Sequence, residues 1–197
     1  MIKSFFPRCL LAIFFLALAT SCSQKQSEHA ATQTTVPQNT VQSEHTLTWQ
    51  PPEGWQKEQP QSTMRKAQYR LARVDGDPED ATVAIFYFPG QGGSVQANIQ
   101  RWYGQFKQPD GKSTADIAKV TKTTANGLQQ SLIEITGTYL FKPMMMAPKA
   151  TEKPNFKMLG GIVETPGGPW FVKLVGPKKT IDKWQDSFYD FMKTFKE

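Results

Sequence analysis

From Leu47 onward, apolar and polar positions alternate in two periods, one of two residues and one of about 3.6. Ala67, Tyr69 and Leu71 alternate with Gln68 and Arg70 and predict a half-buried strand. The run Ala81 to Phe88 is apolar on both faces, with Val83, Ile85 and Tyr87 on one and Ala84, Phe86 and Phe88 on the other. Such a strand must be covered from both sides. After Ser94, a residue suited to an N-cap, Val95, Ile99, Trp102 and Phe106 recur at helical spacing and predict an amphipathic helix. A second apolar stripe, Ile181, Trp184, Phe188, Met192 and Phe195, predicts a closing helix.

Turn chemistry supplies the connections. Asn126-Gly127, the strongest short hairpin signal, joins Lys119–Thr124 to Leu128–Phe141, where Ile133, Ile135, Tyr139 and Phe141 share one face and Glu134, Thr136 and Thr138 the other. A second hairpin pairs Met158–Glu164 with Trp170–Val175 through Thr165-Pro166-Gly167-Gly168-Pro169. Thr48-Trp49-Gln50 and Gly54-Trp55 flank a Pro-Pro pair and predict a short entry strand and a turn. The expected fold is α+β: a largely antiparallel sheet of about six strands between two main helices. This order of elements, over Leu47 to Lys196, resembles the PsbP-like α/β/α sandwich of the photosystem II extrinsic subunit. The stretches Met64-Arg65-Lys66-Ala67-Gln68-Tyr69, Phe88-Pro89-Gly90-Gln91-Gly92-Gly93, Gln100-Arg101-Trp102 and Glu164-Thr165-Pro166 are similar to a family of uncharacterised bacterial lipoproteins. The resemblance carries no catalytic motif, and fold likeness alone assigns no function.

The N-terminus has a different character. Lys3 and Arg8 precede an apolar run, Cys9 to Ala19, and small residues follow: n-region, h-region and cleavage site of a signal peptide, residues 1–21. A run of about a dozen residues is shorter than the roughly 20 needed to span a bilayer. Leu18-Ala19-Thr20-Ser21-Cys22 resembles the lipobox of bacterial lipoproteins, which implies cleavage before Cys22 and its acylation, palmitate included. The same resemblance, with Ser23 next, implies the periplasmic face of the outer membrane in a Gram-negative envelope. Several acyl chains exceed the two-signal requirement for stable anchoring. Residues 22–45, rich in Gln, Ser and Thr, read as the lipidated cysteine and a flexible tether, with a reach on the order of 25–30 Å. Residues 46–197 are left as one α+β domain of ordinary size.

Removal of the signal peptide takes Lys3 and Arg8 with it and lowers the formal net charge of +6 by two. That mild excess suits an anionic surface, and nucleic acid is not an expected partner outside the cytoplasm.

Candidate chemistry is sparse. The lip Gly90, Gly92, Gly93 and Ser94 stands between a buried strand and a helix start, with Arg101 about two turns on; it reads as an anion site or as a plain turn. It matches no dinucleotide or P-loop fingerprint. Met144, Met145 and Met146, between Lys142 and Lys149, have three readings: thioether ligands for Cu(I), an adaptable core plug, or, with Lys153 and Lys157, a basic apolar contact for a bilayer or a partner protein. Trp170, framed by proline and glycine, is expected exposed beside that contact. His29 and His45 close two copies of Gln-Ser-Glu-His in the tether and read as low-complexity repetition; Asp75 to Asp80 is acidic but lacks EF-hand spacing. Residues 46–197 contain no histidine and no cysteine, which removes the usual nucleophile–base pairs. Glu134 and Glu164 remain as a carboxylate pair for glycoside-type hydrolysis.

The expectation is therefore a non-catalytic, membrane-anchored envelope lipoprotein, without metal or cofactor, that binds or positions an unidentified envelope component. Its rivals are a small-ligand or Cu(I) carrier, with the pocket between the sheet and the Ser94–Phe106 helix, and a carboxylate-based hydrolase.

Overall fold

Hairpins and amphipathic helices dominate the computed structural model, which describes residues 46–142 and 149–197. A short β1 (Gln56–Glu58) leads into the hairpin of β2 (Arg65–Leu71) and β3 (Ala81–Tyr87). Then come α1 (Val95–Tyr103), a two-residue β4 (Phe106–Lys107) and the single turn α2 (Thr114–Ile117). The chain continues through β5 (Lys119–Ala125), β6 (Leu128–Phe141), β7 (Thr151–Val163) and β8 (Trp170–Pro177), and closes with α3 (Lys178–Lys193). The strands form one antiparallel sheet in the order β1-β2-β3-β8-β7-β6-β4, with β5 also on β6.

Eight strands and three helices correct the expected count of about six strands and two helices. β1 and β4 span three and two residues, too few for alternation to register. Phe106, expected to end the first helix, lies in β4 opposite Tyr139, because the helix stops at Gly104. β7 begins at Thr151, well before Met158. The two hairpins expected from turn residues are present. Asn126 (φ 50°) and Gly127 (φ 79°) take the positive dihedrals that a primed two-residue turn requires.

Each sheet face carries its own core. Trp170, Val172 and Leu174 of β8 pack with Phe188, Phe191 and Met192 of α3, whereas Phe171 packs with Ile99 and Trp102 of α1. Successive strand residues point to opposite faces, so the adjacent Gly160 and Gly161 of β7 admit one helix each. A Cβ on Gly160 would stand 2.3 Å from Trp102 Cζ3, and one on Gly161 2.4 Å from Met192 Cε. α3 has no side-chain cap of its own. Asp77, in the β2–β3 loop, accepts hydrogen bonds from the Thr180 amide (2.9 Å) and hydroxyl (2.6 Å), placing a carboxylate at the positive end of the helix.

Trp170 is not exposed: it is 6 % accessible, stacked on Tyr87 at 4.4 Å between centroids and edge-on to Trp49. Proline and glycine shape the turn before it, but strand alternation sends its side chain into the core under α3. Its indole N–H is buried without a hydrogen-bond partner among the described residues.

Candidate functional groove

α1 is nine residues long and shields only part of its face of the sheet. Beyond its end a groove of about 180 Å³ lies open. Its floor is low because β3 presents the short Thr82 and Ala84 there, flanked by the larger Phe86. Its walls are the rings of Phe86, Tyr139, Phe141 and Phe156, and three cations enter it: Arg65, Lys153 and Lys173.

Two of the three cations reach the groove because the strands carrying them are irregular. β2 pairs Arg65 with Phe86 but Ala67 with Ile85, so one extra residue, Lys66, sits between. On a regular strand Arg65 would share the α3 face with Ala67. The bulge turns it to the α1 side, where its guanidinium carbon lies 5.8 Å from the Phe86 ring centroid. β7 pairs Phe156 with Gly137 but Lys153 with Tyr139, leaving Pro154 and Asn155 opposite Thr138. Asn155 takes φ 56°, and a bulge is where a strand tolerates proline. Lys153 and Phe156, three residues apart, consequently face the same side. Lys173, the third cation, needs no bulge and stands opposite Ala84, where the small neighbour leaves it room.

The partners of these cations are uneven. Lys153 pairs with Glu79 at 2.7 Å and lies 4.7 Å from the Phe141 centroid. Arg65 donates to the side-chain oxygens of Gln61 (3.4 Å) and Gln68. Lys173 donates to Gln105 Oε1 and lies 5.2 Å from the Tyr139 centroid. Among the described residues no carboxylate pairs with Arg65 or Lys173. Burial, reinforced by the charge of Arg65, pushes the Lys173 ammonium down to about 8. Burial also holds the Tyr139 phenol above its ordinary range; the Arg65 charge opposes this shift and Glu79 adds to it, so the hydroxyl is a neutral donor at pH 7. Asp80, at the rim, is held below the usual carboxylate range by the Arg73 amide and the Arg70 guanidinium, which more than offset its slight desolvation. The arrangement supplies positive charge, a hydroxyl and ring surface, suited to holding an anion.

The candidates expected from sequence lie elsewhere. In the glycine lip, Gly90 and Gly93 take positive φ, and Ser94 caps α1 by accepting from the Ala97 amide. Asn98, buried beneath, donates to the Gly92 and Ser94 carbonyls and accepts from Arg101 at 2.6 Å. Arg101 is thus turned onto the helix. Met144, Met145 and Met146 lie outside the described residues, as do Cys22, His29 and His45. Lys142 and Lys149 are exposed. Lys153 and Lys157 do not extend a basic contact around the methionines: Lys153 is paired with Glu79, and Lys157, 4 % accessible, faces α3. There it meets Glu134 at 2.9 Å and Asp182 at 3.0 Å. Glu164 follows the end of β7, about five residues beyond the Leu159 that opposes Glu134. At 3.4 Å per residue that is roughly 17 Å, wider than a glycosidase carboxylate pair. The acidic loop is engaged at three places, by Asp77 on α3, Glu79 on Lys153 and Asp80 on Arg70.

The groove had two signals in the sequence that alternation alone does not weigh. Lys173 interrupts the apolar run Trp170–Val175, and Pro154-Asn155 interrupts β7. Arg65 gave none, since its bulge has no turn residue.

No family model matches the chain, and no curated protein matches it. Several solved structures are similar to it, two of them as follows. One is the crystal structure of a protein of unknown function from Pseudomonas aeruginosa, 9% identical, covering 73% of this chain and 96% of that one at a TM-score of 0.47. The other is the solution structure of the cyanobacterial PsbP, CyanoP, from Synechocystis, 13% identical, covering 76% and 85% at a TM-score of 0.44.

Proposed function

We propose that the protein is a lipid-anchored envelope protein whose domain binds a ligand without transforming it, and that the groove beside α1 is its binding site. The observation that carries this reading is that Arg65 and Lys173 enter one groove with glutamine oxygens and, among the described residues, no carboxylate paired with them. A cation withdrawn from water without a counter-charge costs stability, and a bound anion recovers that cost. Engagement of Glu134 by Lys157, far from Glu164, supports binding over hydrolysis. A concave site with a few convergent polar groups suits a small ligand better than a protein partner. The lipobox resemblance at Cys22 and the polar tether support an encounter at the membrane surface, on the periplasmic side of the outer membrane in a Gram-negative envelope.

Two measurements test it. Cells fed an alkynyl palmitate label the full-length protein and not its Cys22→Ser variant; equal labelling of both removes the anchor. In melting experiments on the anchored protein in detergent, at least one member of a millimolar panel of small carboxylates, sulfonates and phosphates raises the Tm, as a ligand selective for the native state must. None raises that of the Arg65→Gln/Lys173→Met double variant. A flat panel, or stabilisation that survives the double substitution, refutes the groove as the site.

A further inference from the structure

Charge, ring surface and size together narrow the ligand of this groove. Lys153 is spent on Glu79, so the positive charge open to a ligand is that of Arg65 and Lys173. A guanidinium binds a carboxylate or a phosphate through paired hydrogen bonds, so the ring surface beside it decides between them. Tyr139 and Phe156 lie nearly parallel, 13° between planes and 6.1 Å between centroids, with Phe156 buried, and Phe141, tilted 48° to Tyr139, carries the ring surface out to an exposed edge. An inorganic anion would leave the accessible ring surface, that of Tyr139 and Phe141, facing water, and a neutral aromatic would leave both cations without a counter-charge. The volume of about 180 Å³ is close to the roughly 150 Å³ that accommodates benzene in an apolar cavity, room for one ring and its substituent. Both bulges serve the same end, since they bring Arg65 to the charged side and Lys153 and Phe156 together to the ring side.

We infer that the groove takes a small organic anion that joins one carboxylate to a single aromatic ring or a comparably flat apolar body, with the carboxylate between Arg65 and Lys173 and the body against Tyr139 and Phe141. This rests on the groove being a binding site at all.

Benzoate, benzamide and inorganic phosphate separate the components in 1H–15N NMR titrations of the anchored protein in detergent micelles. Benzoate is expected to shift the amide signals of Lys173 and Arg65 saturably, with a Kd at least about tenfold below those of benzamide and phosphate, a difference of about 1.4 kcal/mol. Lys173→Met, shown folded by its melting transition, weakens benzoate by about tenfold or more. Benzamide binding as tightly as benzoate overturns the charge requirement, and phosphate binding as tightly overturns the ring. If benzoate fails while other anions still raise the Tm of the wild type, the ligand class is wrong and the binding site stands. If those also fail, the site itself is refuted.

Discussion

Lys173→Met makes the protein more stable at pH 7, by about 1–2 kcal/mol, and the advantage shrinks as the pH rises toward 10. The ammonium is half-buried on β8 with an amide oxygen and a ring as its neighbours, and burial with the Arg65 charge lowers its pKa from 10.5 to about 8. A displacement of that size corresponds to roughly 3 kcal/mol against the charged form, of which the Gln105 hydrogen bond and the Tyr139 ring contact, both lost in the variant, return a part. Below pH 8 the lysine is protonated in both states, and folding bears the full cost of the buried charge. Between pH 8 and about 10.5 the unfolded chain binds more protons than the folded one, so wild-type stability gains with pH from this group. Methionine has no such dependence. Arg65, Lys153, Glu79 and Tyr139 face Lys173 across the groove in both proteins, but the repulsion from Arg65 acts on the wild type alone and is part of the cost that the variant removes. Urea unfolding of both at pH 7 and pH 10 checks this. A variant less stable than the wild type at pH 7, with a gap unchanged at pH 10, would show that the charge is not held at a cost. A stabilising substitution in a binding site is the usual sign that stability has been given up for function.

The opposite sign is expected at Lys157, the other lysine withdrawn from solvent. Burial by itself would lower its pKa, but hydrogen bonds and charge from Glu134 and Asp182 raise it above the ordinary value. Its side chain is 5 % accessible and lies between those two carboxylates, with Gln185 also accepting from it. Lys157→Met keeps the volume of the side chain and leaves the carboxylates facing each other. The expected loss is about 3 kcal/mol at pH 7, at the lower end for a broken buried pair because both carboxylates reach water. A lysine with a raised pKa contributes stability that is fully present below its unfolded value and is lost only in strong alkali. Asp182 is partly desolvated, but Lys178 and Lys157 hold its carboxyl below the usual range, so its contribution is present above the unfolded value of 3.8 and is lost as the pH falls from there through its lowered folded-state value. The gap between wild type and variant should therefore be level from pH 6 to 9 and narrow at pH 3.5. Urea unfolding at pH 7 and 3.5 measures it; a loss under about 1 kcal/mol that does not change with pH would reduce Lys157 to packing.

The two lysines show why the site was only partly legible. Both interrupt an apolar strand, and nothing in the local pattern separates them. Lys157 finds Glu134 across one strand pair and Asp182 from a helix that begins more than twenty residues later, whereas Lys173 finds Gln105, Arg65 and a ring. Trp170 failed in the same way: its turn pointed to exposure, but the segment around Thr48 and the C-terminal segment, bridged at Thr48 and Lys196, bring Trp49 and Phe195 against each other beside it.

What the sequence determined by itself is what depends on neighbours within a few residues: the amphipathic stripes that became α1 and α3, the Asn126-Gly127 hairpin, the turn between β7 and β8, and the doubly apolar β3 that needs cover on both sides. Tertiary structure alone decided that β3 pairs with β8, that Gly160 and Gly161 receive a helix each, and that bulges after Arg65 and Lys153 turn both cations into one groove. Register across long connections is set by the packing of whole faces. Because strand side chains alternate with a period of two, a single extra residue moves a charge from one face of the sheet to the other, and only the partner strand reveals it.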